Sequence, residues 1–115
     1  IFILIIALSV GGIYYISNKE IALGQYDDFA KCLSNSSVKM YGAFWCPHCK
    51  EQKETFGNSW QYIDYIECSN SDRSMNQVCA TAKITGYPTW EFSDGSRLEG
   101  FVPLTNLATK TNCTL

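Results

Sequence analysis

Phe44-Trp45-Cys46-Pro47-His48-Cys49 is the stretch whose reading decides the rest of the chain. Two cysteines separated by two residues stand where an apolar run ends and a helical pattern begins, which puts the first sulfur at a helix N-terminus. There the unpaired backbone N–H groups and the helix dipole favour a thiolate over a thiol. The spacing also lets the Cys49 sulfur reach back and close a small disulfide with Cys46. His48, the only histidine in the chain, adds positive charge beside the first sulfur when protonated, which stabilises the reduced form relative to the disulfide. Such a disulfide is a willing oxidant. The same spacing supplies half of many zinc sites, but zinc needs two further ligands, and the chain has neither a second C-x-x-C nor a second histidine. Neither metal nor cofactor is expected, and a redox dithiol fits better than an inert structural disulfide.

The remaining composition suits one small domain. Of 115 residues, 46% are hydrophobic and 14% aromatic, enough for a core without help from repeats or partners. The net charge is -2 and no cluster of lysines and arginines occurs, which argues against a nucleic-acid surface. Six cysteines in a chain of this size, an even number with no metal pattern, point to an oxidising compartment outside the cytoplasm. With Cys46 and Cys49 as the working pair, Cys32, Cys68, Cys79 and Cys113 remain, and composition and spacing do not choose among their pairings.

Residues Ile1 to Ile16 are uncharged, and Ser17-Asn18-Lys19-Glu20 turns abruptly polar. At 1.5 Å per residue the run covers about 24 Å, short of the ~30 Å hydrocarbon core. The chain starts at Ile rather than Met, so a longer span is expected. Tyr14 and Tyr15 sit where an interfacial aromatic belt would lie. A membrane anchor over 1–17, with a linker over 18–25, is favoured over a cleaved signal peptide, for which no A-x-A site is present. From there, Tyr26, Phe29, Ala30 and Leu33 mark an amphipathic helix. Val38 to Trp45 reads as a central strand buried on both faces that runs directly into Cys46. Cys46 to Phe56 reads as a helix with a charged outer face, and Tyr62 to Glu67 as a second buried strand. Met75, Val78, Cys79 and Ala82 keep helical spacing. Thr89 to Phe92 and Arg97 to Phe101 form a hairpin around Asp94-Gly95, and Pro103 opens a last helix carrying Leu104, Leu107 and Ala108. Tyr41, Phe44 and Trp90 are expected in the core.

This order, the dithiol at a strand-to-helix junction, and Gly86-Tyr87-Pro88-Thr89 downstream together resemble the thioredoxin fold over about residues 26–115. The implied architecture is α/β, a four- to five-stranded mixed sheet flanked by helices, preceded by the transmembrane helix. More closely, Tyr41 to Cys49, Glu67-Cys68-Ser69 and Gly86 to Glu91 look like the thioredoxin-like domain fused to bacterial homologues of vitamin K epoxide reductase, and the Cys-Pro-His-Cys tetrapeptide matches the active site of the oxidant DsbA. The resemblance implies an exposed nucleophile at Cys46, a buried resolving thiol at Cys49, Pro47 and His48 as the tuning residues between them, and a cis-proline at Pro88. A cis bond there exposes the backbone of Tyr87 for an extended client segment. Trp45 reads either as a docking surface shielding the disulfide or as a core residue. Two departures are visible. Met40 stands where many thioredoxins keep a buried aspartate that accepts the resolving thiol's proton, and no strand signal precedes the first helix.

The expectation is an enzyme, a membrane-anchored extracytoplasmic thiol–disulfide oxidoreductase acting on client proteins with dithiols or disulfides. The resemblance implies re-oxidation by a quinone-linked membrane oxidase of the vitamin K epoxide reductase type, on a separate chain or fused. The rivals are a reductase or isomerase, or a non-catalytic scaffold that holds peptides at Pro88. In a thioredoxin-like sheet the first and last helices meet at the end opposite the active site, which would pair Cys32 with Cys113 and leave Cys68 with Cys79 around a short loop. Non-reducing peptide mapping should recover those two bridges, and a Cys32–Cys68 peptide would overturn the topology behind them.

Overall fold

In the computed structural model, residues 23–115 are described; the expected anchor over 1–17 and most of the linker over 18–25 lie outside the described residues. Among those described, no helix is long and apolar enough to cross a membrane. The order is helix α1 (Asp27–Asn35), strand β1 (Lys39–Gly42), helix α2 (Pro47–Phe56), a 3-10 turn (Gly57–Tyr62), strand β2 (Asp64–Glu67), helix α3 (Gln77–Thr81), strands β3 (Thr89–Glu91) and β4 (Arg97–Glu99), and helix α4 (Leu104–Thr111). The result is a small α/β domain whose four-stranded mixed sheet is ordered β2-β1-β3-β4. β1 runs parallel to β2 and antiparallel to β3, and β3 is antiparallel to β4. The parallel pair requires a crossover, and α2 supplies it.

β1 is central because successive side chains of a strand face opposite sides and both sides are covered. Met40 faces the larger core with Phe29, Leu33, Phe56, Trp90 and Leu107. Tyr41 faces a smaller cluster with Cys68, Cys79 and Ile84. Phe56 joins the layers of the larger core, with its ring 6.2 Å from those of both Phe29 and Trp90 and 5.7 Å from that of Trp60. Cys32 of α1 is bonded to Cys113 beyond α4, and Cys68 to Cys79.

Helix α2 is fixed on the sheet by a polar contact. Its buried face carries Cys49, Gln52 and Phe56, positions i, i+3 and i+7 of one stripe. The fully buried Gln52 donates from Nε2 to the Val102 carbonyl at 2.8 Å. Its Oε1 accepts from Trp90 Nε1 at 3.1 Å and from the Val102 N–H at 2.8 Å.

Several boundaries differ from the sequence reading. The strand expected over Val38 to Trp45 ends at Gly42, because the chain turns there and the Cys46 N–H bonds to the Ala43 carbonyl at 3.0 Å. The turn swings Phe44 out to 59% exposure instead of into the core, whereas Tyr41 and Trp90 are buried. The segment from Tyr62 is a half-buried edge strand starting at Asp64, since the 3-10 turn takes up the residues before it. The helix read from Met75 to Ala82 covers only Gln77–Thr81, because Asn76 caps it with an Oδ1 that accepts from the Cys79 N–H. Val78 lies within that helix but faces solvent, 62% exposed.

Replacing Gln52 with Leu should strand three buried groups, Trp90 Nε1 and the Val102 N–H and carbonyl. Losses of about 1–3 kcal/mol per orphaned group put the expected destabilisation at about 3 kcal/mol or more, read as a lower denaturant midpoint. An unchanged midpoint would show that the helix is held by apolar packing alone.

Candidate active site

The chain reverses at Ala43 to Trp45 and enters α2 with Cys46 as the N-cap, in extended geometry at φ -81° and ψ 120°. Pro47 occupies the first turn, where its fixed φ suits a helix and its missing N–H leaves no orphan. The Cys46 sulfur accepts the Cys49 N–H at 3.1 Å, the contact a side-chain oxygen makes in an ordinary N-cap. Cys46 and Cys49 are both free thiols. They are exposed by 6% and 5%, so the expected contrast between an exposed and a buried cysteine does not hold. Position separates them instead, since Cys46 receives helix donors and Cys49 lies one turn inside. Burial, then the hydrogen bond to Cys46, pushes the Cys49 thiol up to about 12.

Gly42 makes room for this arrangement. A Cβ there would stand 2.9 Å from Tyr65 Cε1 and 3.0 Å from the Cys49 sulfur, so any larger residue would displace the thiol or the ring. Beside Cys49, the Tyr65 hydroxyl donates to Glu67 Oε1 at 2.8 Å. Burial, then that hydrogen bond, holds the Tyr65 phenol above its ordinary value. Glu67 Oε2 accepts the backbone N–H groups of Phe44 and Ser69, each at 3.0 Å, and so fixes the loop that carries Trp45.

His48 projects into solvent, its Nδ1 3.4 Å from Glu51 Oε1 with both side chains more than half exposed. Any charge it carries reaches Cys46 through screening water and beside a carboxylate. Trp45 is half-buried. Its Nε1 donates to Ser69 Oγ at 2.8 Å, its ring meets Tyr87 edge-on at 5.8 Å, and the Arg73 guanidinium sits 5.7 Å from the ring centre. Tyr87 precedes a cis peptide bond to the buried Pro88. Trp45, Cys46, Cys49 and Tyr87 thus share one end of the sheet.

No family model matches the chain. Over 91 residues it is 42% identical to thiol-disulfide oxidoreductase LTO1 of Arabidopsis thaliana, a match covering 75% of this chain. The chain spans only 24% of that protein's length. The similarity supports an oxidoreductase enzyme, and the two closed disulfides beside a free dithiol agree with it.

Glu67, Tyr65, Ser69 and Gln52 belong to this site or its support, yet the sequence reading gave them no role. The signal was present for two of them, because Tyr65 and Glu67 are two apart on a strand and so share one face.

A thiol held near 12 binds its proton more tightly in the folded than in the unfolded chain, where the ordinary value is 9.0. Its stabilisation is complete below that ordinary value and is lost as pH rises through the interval between the two. The dithiol form should therefore weaken with rising pH by up to about 1.4 kcal/mol per unit. Denaturant unfolding at a series of alkaline pH values should show a steeper loss than in the Cys49→Ala variant; equal slopes would refute the buried-thiol assignment.

Proposed function

We propose that this chain is a thioredoxin-like thiol–disulfide oxidoreductase domain, anchored in a membrane, that works outside the cytoplasm and oxidises client dithiols. The observation that carries the reading is the free pair Cys46 and Cys49 at the head of α2, in a domain whose four other cysteines are already joined. The cysteine-rich composition and the uncharged run at residues 1–16 support the compartment and the anchor.

In the oxidising direction a client thiolate attacks Cys46 of the disulfide form. The Cys46–Cys49 bond breaks and its electron pair passes to Cys49, which takes up a proton. The client's second thiolate then attacks its own sulfur in the mixed disulfide, and Cys46 leaves as a thiolate stabilised by the Cys49 N–H and the helix dipole. Two electrons have moved from client to domain. A quinone-linked membrane oxidase of the vitamin K epoxide reductase type, on another chain or on a longer form of this one, returns the pair to the disulfide. Trp45 and Tyr87 form the apolar surface on which the client segment lies, and the buried Pro88 behind them sets the cis bond that presents the Tyr87 backbone.

Cys49→Ser should accumulate mixed disulfides through Cys46 when mixed with a client extract, and Cys46→Ser should not; the opposite result would exchange the two roles. The reduction potential of the pair should lie above the glutathione poise of its compartment. With His48 screened and beside Glu51, His48→Ala should lower it by only about 20 mV, since 30 mV corresponds to about 1.4 kcal/mol for two electrons. A wild-type potential close to that of thioredoxin would make reductase or isomerase the better reading.

A further inference from the structure

Cys49 has a proton problem that its own helix does not solve. Each time it attacks a disulfide it must lose a proton, and each time it is displaced it must gain one. Its thiol is 5% exposed and held near 12 by burial. Met40, wholly buried on β1, has no group to exchange a proton.

A carboxylate stands on the neighbouring strand. The parallel register of β1 and β2 sets Glu67 opposite Gly42, at the end of the sheet where the chain turns towards Cys46. Cys49, Glu67 and Tyr65 border one cavity of about 290 Å³, with Lys50, Lys53 and Trp60 completing much of its wall. One water takes about 30 Å³ in the liquid, so the space holds several, with polar groups around it to bind them. The missing side chain of Gly42 opens the gap between thiol and phenol, since the Cys49 sulfur and the Tyr65 hydroxyl lie 3.0 and 3.3 Å from the point its Cβ would occupy. The charge of Glu67 is felt at Cys49. The carboxylate is held by three donors, from Phe44, Ser69 and Tyr65, and cannot swing away.

We propose that Glu67 is the proton relay of Cys49: its carboxylate, oriented by Tyr65 and linked to the thiol by water in the cavity, takes the proton when Cys49 attacks and returns it when Cys49 leaves. The inference rests on the oxidoreductase reading above. Other titratable groups around the cavity are Tyr65 on β2 and Lys50 and Lys53 on α2; Cys46 at the head of α2 and Tyr87 beside Pro88 complete the set around Cys49.

The test is the reaction of the reduced protein with the aromatic disulfide dithiobis(nitrobenzoate), which reports the two sulfur steps separately. In the first, Cys46 attacks the reagent, forms a mixed disulfide and expels one coloured thiolate. In the second, the Cys49 proton passes to Glu67, the Cys49 sulfur bonds to Cys46, the bond from Cys46 to the aryl sulfur breaks, and a second coloured thiolate leaves with the electron pair.

A general base makes the second step independent of pH across the neutral range while the carboxylate is ionised. An unassisted thiol titrating near 12 makes it rise about tenfold per pH unit. Glu67→Gln keeps an oxygen for the two backbone donors and an amide for Tyr65 to accept from, so the loop stays in place. It should slow the second step about 100-fold or more at neutral pH, turn the flat profile into the rising one, and leave the first step unchanged. Tyr65→Phe should slow it a few-fold and keep it flat.

A flat profile in Glu67→Gln overturns the relay, as does one lost instead in Lys50→Met, Lys53→Met or Tyr65→Phe, or an equal slowing of both steps. If Glu67→Gln does not fold, the wild-type profile decides, because a rise towards pH 12 overturns the relay without any variant. A wild-type protein that releases no second thiolate fails the oxidoreductase reading itself, a result distinct from all of these.

Discussion

Gln52 is the contact on which the geometry of the dithiol depends. A helix lying over a sheet by apolar packing alone can slide and rotate at little cost, because dispersion contacts are many and weakly directional. One buried amide that serves the Trp90 side chain and both backbone groups of Val102 removes that freedom, since any shift leaves a polar group unpaired in the interior. The amide lies one turn beyond Cys49 on the same face, so it sets where the head of α2 stands over the end of β1. The sulfurs, the gap at Gly42 and the reach to β2 all follow from that placement.

What the sequence showed clearly was whatever has a local cause. The two-residue spacing of Cys46 and Cys49, Pro47 at a helix start, the apolar stripe of α1 and the turn at Asp94-Gly95 each act within a few residues, and the order of elements could be read from them. What it concealed depends on the third dimension. Phe44 looked like part of a buried run, yet a turn one residue after Gly42 sends it into solvent. Val78 has helical spacing, but the helix is capped too close to its start to carry a full stripe. His48 seemed aimed at Cys46, whereas its ring turns to Glu51 on its own helix. Glu67 was an acid at a strand end with nothing in its neighbours to announce that a parallel pairing sets it beside a buried thiol.

The site divides its work between two surfaces. On one side, the turn from Phe44 to Trp45 and the loop after β2 are laced together through Glu67 and Ser69, which steadies Trp45 and Tyr87 as a platform. On the other, the cavity between α2 and β2 sets Cys49 among Tyr65, Glu67, Lys50 and Lys53. Because Glu67 takes part in both, a change there touches the platform as well as the thiol unless the replacement preserves its acceptor oxygen.

The bridge between Cys32 and Cys113 has a topological consequence. It joins points 81 residues apart and so makes a covalent ring of nearly the whole domain. The dithiol and the smaller Cys68–Cys79 ring, closed across a sequence separation of 11, both lie within it. The two rings are nested rather than interlaced, so either can close first without one segment threading another. A single backbone cut between Cys32 and Cys113 opens the ring but releases no fragment. Once nicked, a domain of this design stays one molecule.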